Sequence, residues 1–242
     1  MSRDQESLCV DPRIDPLLGE LHHRVALHLT GWDGPERGEL ESFIARVFAR
    51  TCGARVTNFF PTLLAFSQEH RLAGVVGVRS ASGARLFLEH YLDVPAEQAV
   101  SACIARQVDR NEVVEVGNLA LSAPGQARWI IAVTTAFLAA AGFHWVVFTA
   151  AAPLFNAFRR LGLRPIRVAD ADPERLPDRG TTWGRYYEAA PQVYAGDVRA
   201  GMGKLRYARC WQLDAPRHLL ACAEALGARA FAPSLASGVA GT

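Results

Sequence analysis

The chain has 242 residues, half of them hydrophobic and 21% charged, with a formal net charge of +2. That composition suits one large globular domain, or one domain with appendages, and supports a sizeable core. The basic residues are scattered, in pairs such as Arg159-Arg160 rather than in a block, so no electrostatic footprint for nucleic acid is present.

Residues 1–34 read as an N-terminal extension punctuated by Pro and Asp, with LLGELHHRVALHLTGW as a short helix or a strand pair. The start, MSRDQESLCVDPRIDP, is acidic and polar where a secretory leader needs a basic end and an apolar run, which argues against that export route. His22 and His23 are adjacent and cannot share a helix face, so they make a poor metal pair. PERGELESFIARVFARTCGA, 35–54, has Pro at its start, acidic residues in its first half, and Leu40, Phe43, Ile44, Val47 and Phe48 on one face. It is the clearest amphipathic helix in the chain.

RVTNFFPTLLAFSQ, LAGVVGVRSA and ARLFLEHYL follow as three strand-like runs separated by Glu-His-Arg and Ala-Ser-Gly turns. They predict an antiparallel meander. VPAEQAVSACIARQ, 94–107, returns to helical spacing through Val100, Cys103 and Ile104. Next come VVEVGNLAL, a helix from Arg128, FHWVVFTA and PLFNAFRRLGL. This βαβα order behind a meander predicts an α+β or mixed α/β architecture with one parallel strand pair. Loops and short strands fill the chain after Pro165, and residues 201–242 read as a helix, APRHLLACAEALGA, with a mobile tail.

Residues 129–158 contain no Asp, Glu, Lys or Arg, and a run of about 20 apolar residues is long enough to cross a bilayer. The run divides at Ala-Gly-Phe, 141–143, where Gly142 suits a helix C-cap, and Pro153 closes the β-rich second half. A buried helix followed by a buried central strand explains the pattern better, and membrane contact is not expected. Five separated cysteines, Cys9, Cys52, Cys103, Cys210 and Cys222, form no C-x-x-C pair. They read as reduced thiols of a cytoplasmic protein, with no metal site.

Glu115 interrupts the apolar run VVEVGNLAL. In a strand it shares a face with Val113 and Gly117, and a carboxylate there is costly unless it is paired, hydrogen-bonded or open to a cleft. Two readings stand: a proton acceptor or substrate ligand with a raised pKa, or a structural salt bridge to Arg79 or Arg110. Arg79, ending its own apolar strand, either clamps a substrate carboxylate or reaches solvent. Glu89 and His90, read as neighbours on a strand, face opposite ways and do not cooperate directly. SAPGQA, 122–127, places small residues before a helix, leaving its first N–H groups open to an anion or serving only to connect strand to helix. His144 reads as a hydrogen-bonded, largely buried histidine, and Trp183, Tyr186 and Tyr187 either line a tunnel or pack a satellite core.

The strand, small turn, helix, strand and Asn-bearing helix together resemble the acyl-CoA-binding core of the GNAT N-acyltransferase superfamily. Its phosphate loop, Gln/Arg-x-x-Gly-x-Gly/Ala, is matched at Gly125 and Ala127, with Ser122 at the first position. Asn156 and Gly162 match the superfamily's Asn…Tyr-x-x-x-Gly-Phe segment, and Phe158 replaces the tyrosine that protonates the departing thiolate. GARVTNFFPTLLAF, LFLEHYLD, EVVEVGNLAL, GFHWVVFTA, RRLGL, WGRYYE and PQVYAGDV resemble the bacterial thermostable hemolysin family, named for lytic activity but similar in its core to acyltransferases. A more distant similarity is to acyl-homoserine-lactone synthases, whose Gly-x-x-Arg strand is echoed at Gly74 to Arg79 and whose Glu-x-Ser-Arg is echoed by Glu115, with Gly117 and Asn118 in place of Ser-Arg.

These resemblances imply a GNAT-like fold over residues 35–200, a mostly antiparallel twisted sheet with one parallel pair flanked by helices. They imply an N-acyltransferase that moves an acyl group from acyl-CoA or acyl carrier protein, as co-substrate, to a small-molecule amine. No tightly bound cofactor is implied. Glu115 would take the amine proton and Arg79 orient the acceptor. Gly117, Asn118, Leu119 and Leu121 would meet the pantetheine arm, Gly125, Gln126, Ala127 and Arg128 would hold its phosphate, and Asn156 would be a further donor-binding residue. The rival expectations are a membrane-active, lytic protein and a catalytically inactive acyl-CoA-binding module.

Overall fold

The computed structural model describes residues 25–207 and 217–231. Among them the sheet has seven strands in the order β1-β2-β3-β4-β5-β7-β6: β1 (Val25–Thr30), β2 (Thr62–Gln68), β3 (Arg71–Ser80), β4 (Val113–Leu121), β5 (Trp145–Ala150), β6 (Ile166–Asp170) and β7 (Gln192–Asp197). Only β4 and β5 run parallel; the other pairs are antiparallel. The fold is mixed α/β, a mostly antiparallel sheet with one parallel pair flanked by helices. The parallel pair follows from connectivity, because α3 (Ala127–Ala140) crosses between its strands.

Helix α1 (Arg37–Cys52) buries Leu40, Phe43 and Ile44 against β2 and β3, as its spacing predicts, and Gly53 ends it in the left-handed region at φ 73°. The β2-β3 hairpin turns through Glu69 and His70, both at positive φ, which suits the right-handed twist of paired strands. ARLFLEHYL is not a strand. Residues Phe87–Tyr91 form a 3₁₀ turn, and the meander is instead β1-β2-β3. The turn's N–H groups are taken by carboxylates rather than by a neighbouring strand: Glu115 accepts from Phe87 and Leu88, and Glu89 accepts from Leu86 and Ala96. A 3₁₀ turn also removes the strand geometry that set Glu89 and His90 on opposite faces. Glu89 is buried and ion-paired with Arg110, at 2.7 Å, while His90 Nδ1 meets the Phe87 carbonyl.

On the other side of the sheet, α3 is packed between the strands and α5 (Val198–Tyr207) and α6 (Arg217–Ala230). Gly227 of α6 lies so close to α3 that a Cβ there would meet the Phe137 carbonyl oxygen at 2.2 Å. Only a glycine lets the two helix backbones approach that far. The sheet and core therefore draw on residues outside 35–200, since β1 precedes that span and α6 follows it. Within 129–158, α3 stops before Gly142, at φ 86°, and β5 begins. No helix among the described residues is long and apolar enough to cross a membrane. Cys52, Cys103 and Cys222 are free thiols, whereas Cys9, Cys210, His22, His23 and the expected C-terminal tail lie outside the described residues.

Candidate functional site

The centre of the sheet opens. Along β4, pairing with β5 runs from Val113, opposite Trp145, to Val116, opposite Phe148, and goes no further, although β4 continues to Leu121. The edge of β4 towards β5 is thus unpaired beyond Val116. A bulge sits at the same place: Val75 pairs with Ala120 and Gly77 with Gly117, so Asn118 and Leu119 together oppose Val76. Such an insertion bends its strand. Asn118 takes the left-handed conformation, φ 48°, and is held there from its side chain. Its Oδ1 accepts the Phe60 N–H at 2.8 Å and its Nδ2 donates to the Asn58 carbonyl at 3.2 Å. Gly77 and Gly117 form a smooth floor beneath the Phe60 ring, where a Cβ on Gly117 would lie 2.7 Å from Phe60 Cζ.

A cleft of about 270 Å³ fills the gap. Gly117, Asn118 and Leu119 line one strand edge, and Phe148, Thr149 and Ala150 the other. Behind the sheet lie Ile131 and Thr134 of α3 and Leu154 and Phe158 of α4 (Ala152–Arg160). In front lie Phe48, Phe87, Tyr91, Trp183 and Tyr186. The cleft therefore reaches both faces of the sheet, which pairing of β4 with β5 over their full length would have closed.

Glu115 stands at this opening, 3% exposed. Its two oxygens accept the backbone N–H groups of Leu88, at 2.9 Å, and Phe87, at 2.7 Å. Burial pushes its carboxyl up to about 7, against the pull of those two N–H groups and of Arg79. Neither salt bridge expected from the sequence holds it. Arg110 is committed to Glu89 and Glu97, at 2.7 and 2.6 Å, and Arg79, directly across the strand pair from Glu115, lays its guanidinium over the Phe60 ring at 4.5 Å and reaches Asn58. Arg79 is not part of the cleft lining. Tyr91 meets Tyr187 hydroxyl to hydroxyl at 2.6 Å, and burial raises the pKa of Tyr91, Tyr186 and Tyr187. These phenols stay protonated near neutrality, which leaves Glu115 as the base the cleft offers.

The structure thus brings Glu115, Gly117, Asn118 and Leu119 together. Leu121, Gly125, Gln126, Ala127 and Arg128 lie outside the cleft lining, at the end of β4 and the start of α3. Gly125 and Arg128 are exposed there, and Gln126 Oε1 is buried without a partner. Asn156 lies on the exposed side of α4, also outside the lining. Phe158 stacks on Phe148 with ring centres 4.6 Å apart, so no hydroxyl is supplied from that position. His144 is half-buried and paired with Glu112 at 2.7 Å. Tyr91 was hidden within the run that reads as a strand, and Thr134, whose buried hydroxyl has no partner, carried no signal beyond its place on an apolar helix. Trp183 and Tyr186 do both things the sequence left open: Trp183 packs on Phe48 and Phe87, Tyr186 packs on Trp183, and both line the cleft. Among the described residues no His, Cys, Asp and Glu cluster could hold a metal ion.

A bulged central strand parted from its parallel neighbour, within a mixed sheet of this order, is the arrangement of a GNAT-like fold. Residues 32–202 match the family model described as Thermostable hemolysin, and the chain belongs to that family. Among solved structures it is similar to FeeM, an N-acyl amino acid synthase from uncultured soil microbes, at 13% identity and a TM-score of 0.53 over 80% of this chain and 99% of that one. It is also similar to the acyl-homoserine-lactone synthase LasI, at 9% identity and TM-score 0.52 over 77% and 96%. The CoA-dependent acyl-homoserine lactone synthase BjaI, with SAM and isopentyl-CoA, matches at 14% identity and TM-score 0.52 over 84% and 100%. No curated protein matches the chain in sequence.

Proposed function

We propose that the protein is an acyltransferase that takes an acyl group from an acyl thioester, acyl-CoA or acyl carrier protein, and passes it to the amine of a small molecule by direct attack. The observation that carries this reading is the cleft through the sheet with the buried Glu115 at its opening. The donor enters between β4 and β5, where the unpaired backbone of Gly117, Asn118, Leu119 and Leu121 offers hydrogen bonds to the amide-bearing pantetheine arm. Its phosphates meet the N–H groups at the start of α3, around Gly125, Gln126, Ala127 and Arg128. Asn156 stands on the neighbouring α4 at the donor's outer end.

Glu115 takes a proton from the incoming ammonium. The free amine attacks the thioester carbon, the C–N bond forms and the C–S bond breaks; the nitrogen gives its second proton to solvent water, and the departing thiolate takes a proton from solvent water. Phe158 provides no acid for that last step. Arg79 acts across the strand pair on the charge of Glu115; its placement over Phe60 gives no support to a clamp on the acceptor. Most of the rate gain comes from holding thioester and amine together, with polarisation of the thioester carbonyl by a strand N–H as a second contribution.

The test is steady-state kinetics with acyl-CoA and acyl carrier protein donors over an amine panel. Because the base must be ionised, kcat/KM rises with pH through about 7, the value to which burial pushes Glu115. Glu115→Gln lowers kcat by about 10²-fold or more while leaving donor binding in place. Donor binding with no turnover would make the protein a binding module, and absence of donor binding would remove the reading altogether.

A further inference from the structure

The acceptor side of the cleft has a chemical character of its own. Phe48, Phe87, Tyr91, Trp183 and Tyr186 form its wall, with ring centres of Trp183 lying 6.2 Å from Phe48, 5.7 Å from Phe87 and 5.3 Å from Tyr186. Among the described residues that line the cleft there is no Lys, Arg or His, and Glu115 is the one carboxylate. Arg79, the nearest cation along the strand pair, is turned onto Phe60 and Asn58.

We infer that the acceptor is an apolar primary amine that carries no carboxylate, its ammonium on Glu115 and its hydrocarbon or ring against the aromatic wall. The inference rests on the acyl-transfer reading above and narrows it. Aromatic faces attract a cation and cover apolar surface, and Glu115 supplies the opposite charge and accepts the proton. An amino acid would bring a second carboxylate into the same space, with no cation among the described lining residues to pair it and with Glu115 to repel it. The seat is therefore built for the amine and against the amino acid, which sets it apart from a synthase of N-acyl amino acids, as FeeM is named.

Tryptamine and phenethylamine, set against tryptophan and phenylalanine, test this with octanoyl-CoA and octanoyl carrier protein as donors. Calorimetric titration of each acceptor into the full chain gives a readout independent of turnover. Tryptamine is expected to bind and to be acylated with kcat/KM at least about tenfold above tryptophan, the equivalent of about 1.4 kcal/mol. Trp183→Leu raises the tryptamine KM about tenfold without changing the donor KM, and Trp183→Phe, which keeps a ring in place, restores most of it; thermal melts of both variants check that the fold is intact. Tryptophan acylated as well as tryptamine would overturn the acceptor class and leave acyl transfer standing. Tryptamine bound but never acylated, with tryptophan unbound, would uphold the seat and remove the acyl-transfer reading. Absence of tryptamine binding, or a tryptamine KM indifferent to both Trp183 variants, would overturn the inference.

Discussion

Replacing Glu115 by Gln probes the electrostatics of the cleft while keeping the shape of the side chain. Burial raises the Glu115 carboxyl from 4.5 to about 7 in the folded protein, against the two backbone N–H groups and Arg79. A rise of that size corresponds to about 3 kcal/mol. The folded value lies above the unfolded one, so this contribution to stability is fully present below about pH 4.5, where both states hold the proton. It is lost as pH climbs to about 7, because the unfolded chain releases its proton first, and the loss is constant above that. Glutamine cannot ionise and escapes the loss. Its amide has a single acceptor oxygen, whereas the carboxylate offers one oxygen to Phe87 and one to Leu88, so the variant forfeits one buried hydrogen bond at every pH, at about 1–3 kcal/mol. The two effects separate by their pH dependence. Urea denaturation of both proteins from about pH 4.5 to about pH 8.5 is expected to show the stability difference moving in favour of the variant by about 3 kcal/mol. Parallel curves, or movement in favour of wild type, would refute the reasoning and show that the N–H pair holds Glu115 as an ordinary carboxylate.

Arg110→Ala leaves the buried Glu89 without its partner and uncaps the Ala81 and Ala84 carbonyls, a loss of about 3–5 kcal/mol by thermal or chemical melt near neutrality. Burial raises the Glu89 pKa, but Arg110 and the Ala96 and Leu86 N–H groups outweigh it and hold it low, so the wild-type contribution is present above the usual carboxylate range and the penalty shrinks as pH falls through it. Gly117→Ala forces a methyl to within 2.7 Å of Phe60 Cζ and costs about 1–3 kcal/mol through overpacking; an unchanged melting temperature would mean that the ring moves freely. Thr134→Val removes a buried hydroxyl with no partner and raises stability by about 1 kcal/mol, whereas a fall would show that the hydroxyl is bonded.

The legible parts of the sequence were those whose local pattern and tertiary fate agree. Leu40, Phe43 and Ile44 announced α1, and the uncharged run from Trp129 announced a buried helix and a buried strand because most of each half is buried. Glu115 stood out because a carboxylate in an apolar strand requires a special environment. Its partners were not legible, since backbone N–H groups of a distant turn leave no mark in composition. The same contact explains why ARLFLEHYL deceived: Phe87, Leu88 and Tyr91 alternate poorly but are apolar enough to pass for a strand, and the turn is fixed by its own Glu89, which accepts from Leu86, and from outside by Glu115. The split between β4 and β5 is likewise a property of two strands together. Only Gly117-Asn118, a flexible residue followed by one that tolerates positive φ, hinted at the bulge.

The most direct measurement is a single-turnover reaction of the purified chain with an acyl-CoA labelled in its acyl group and an apolar amine, resolved by mass spectrometry. Acyl transfer through Glu115 predicts that the label appears in an amide, with one free thiol released per amide formed, and that Glu115→Ala reduces the rate by about 10²-fold or more. Label recovered as free acid, label left in the thioester, or amide formed equally fast by Glu115→Ala would contradict it.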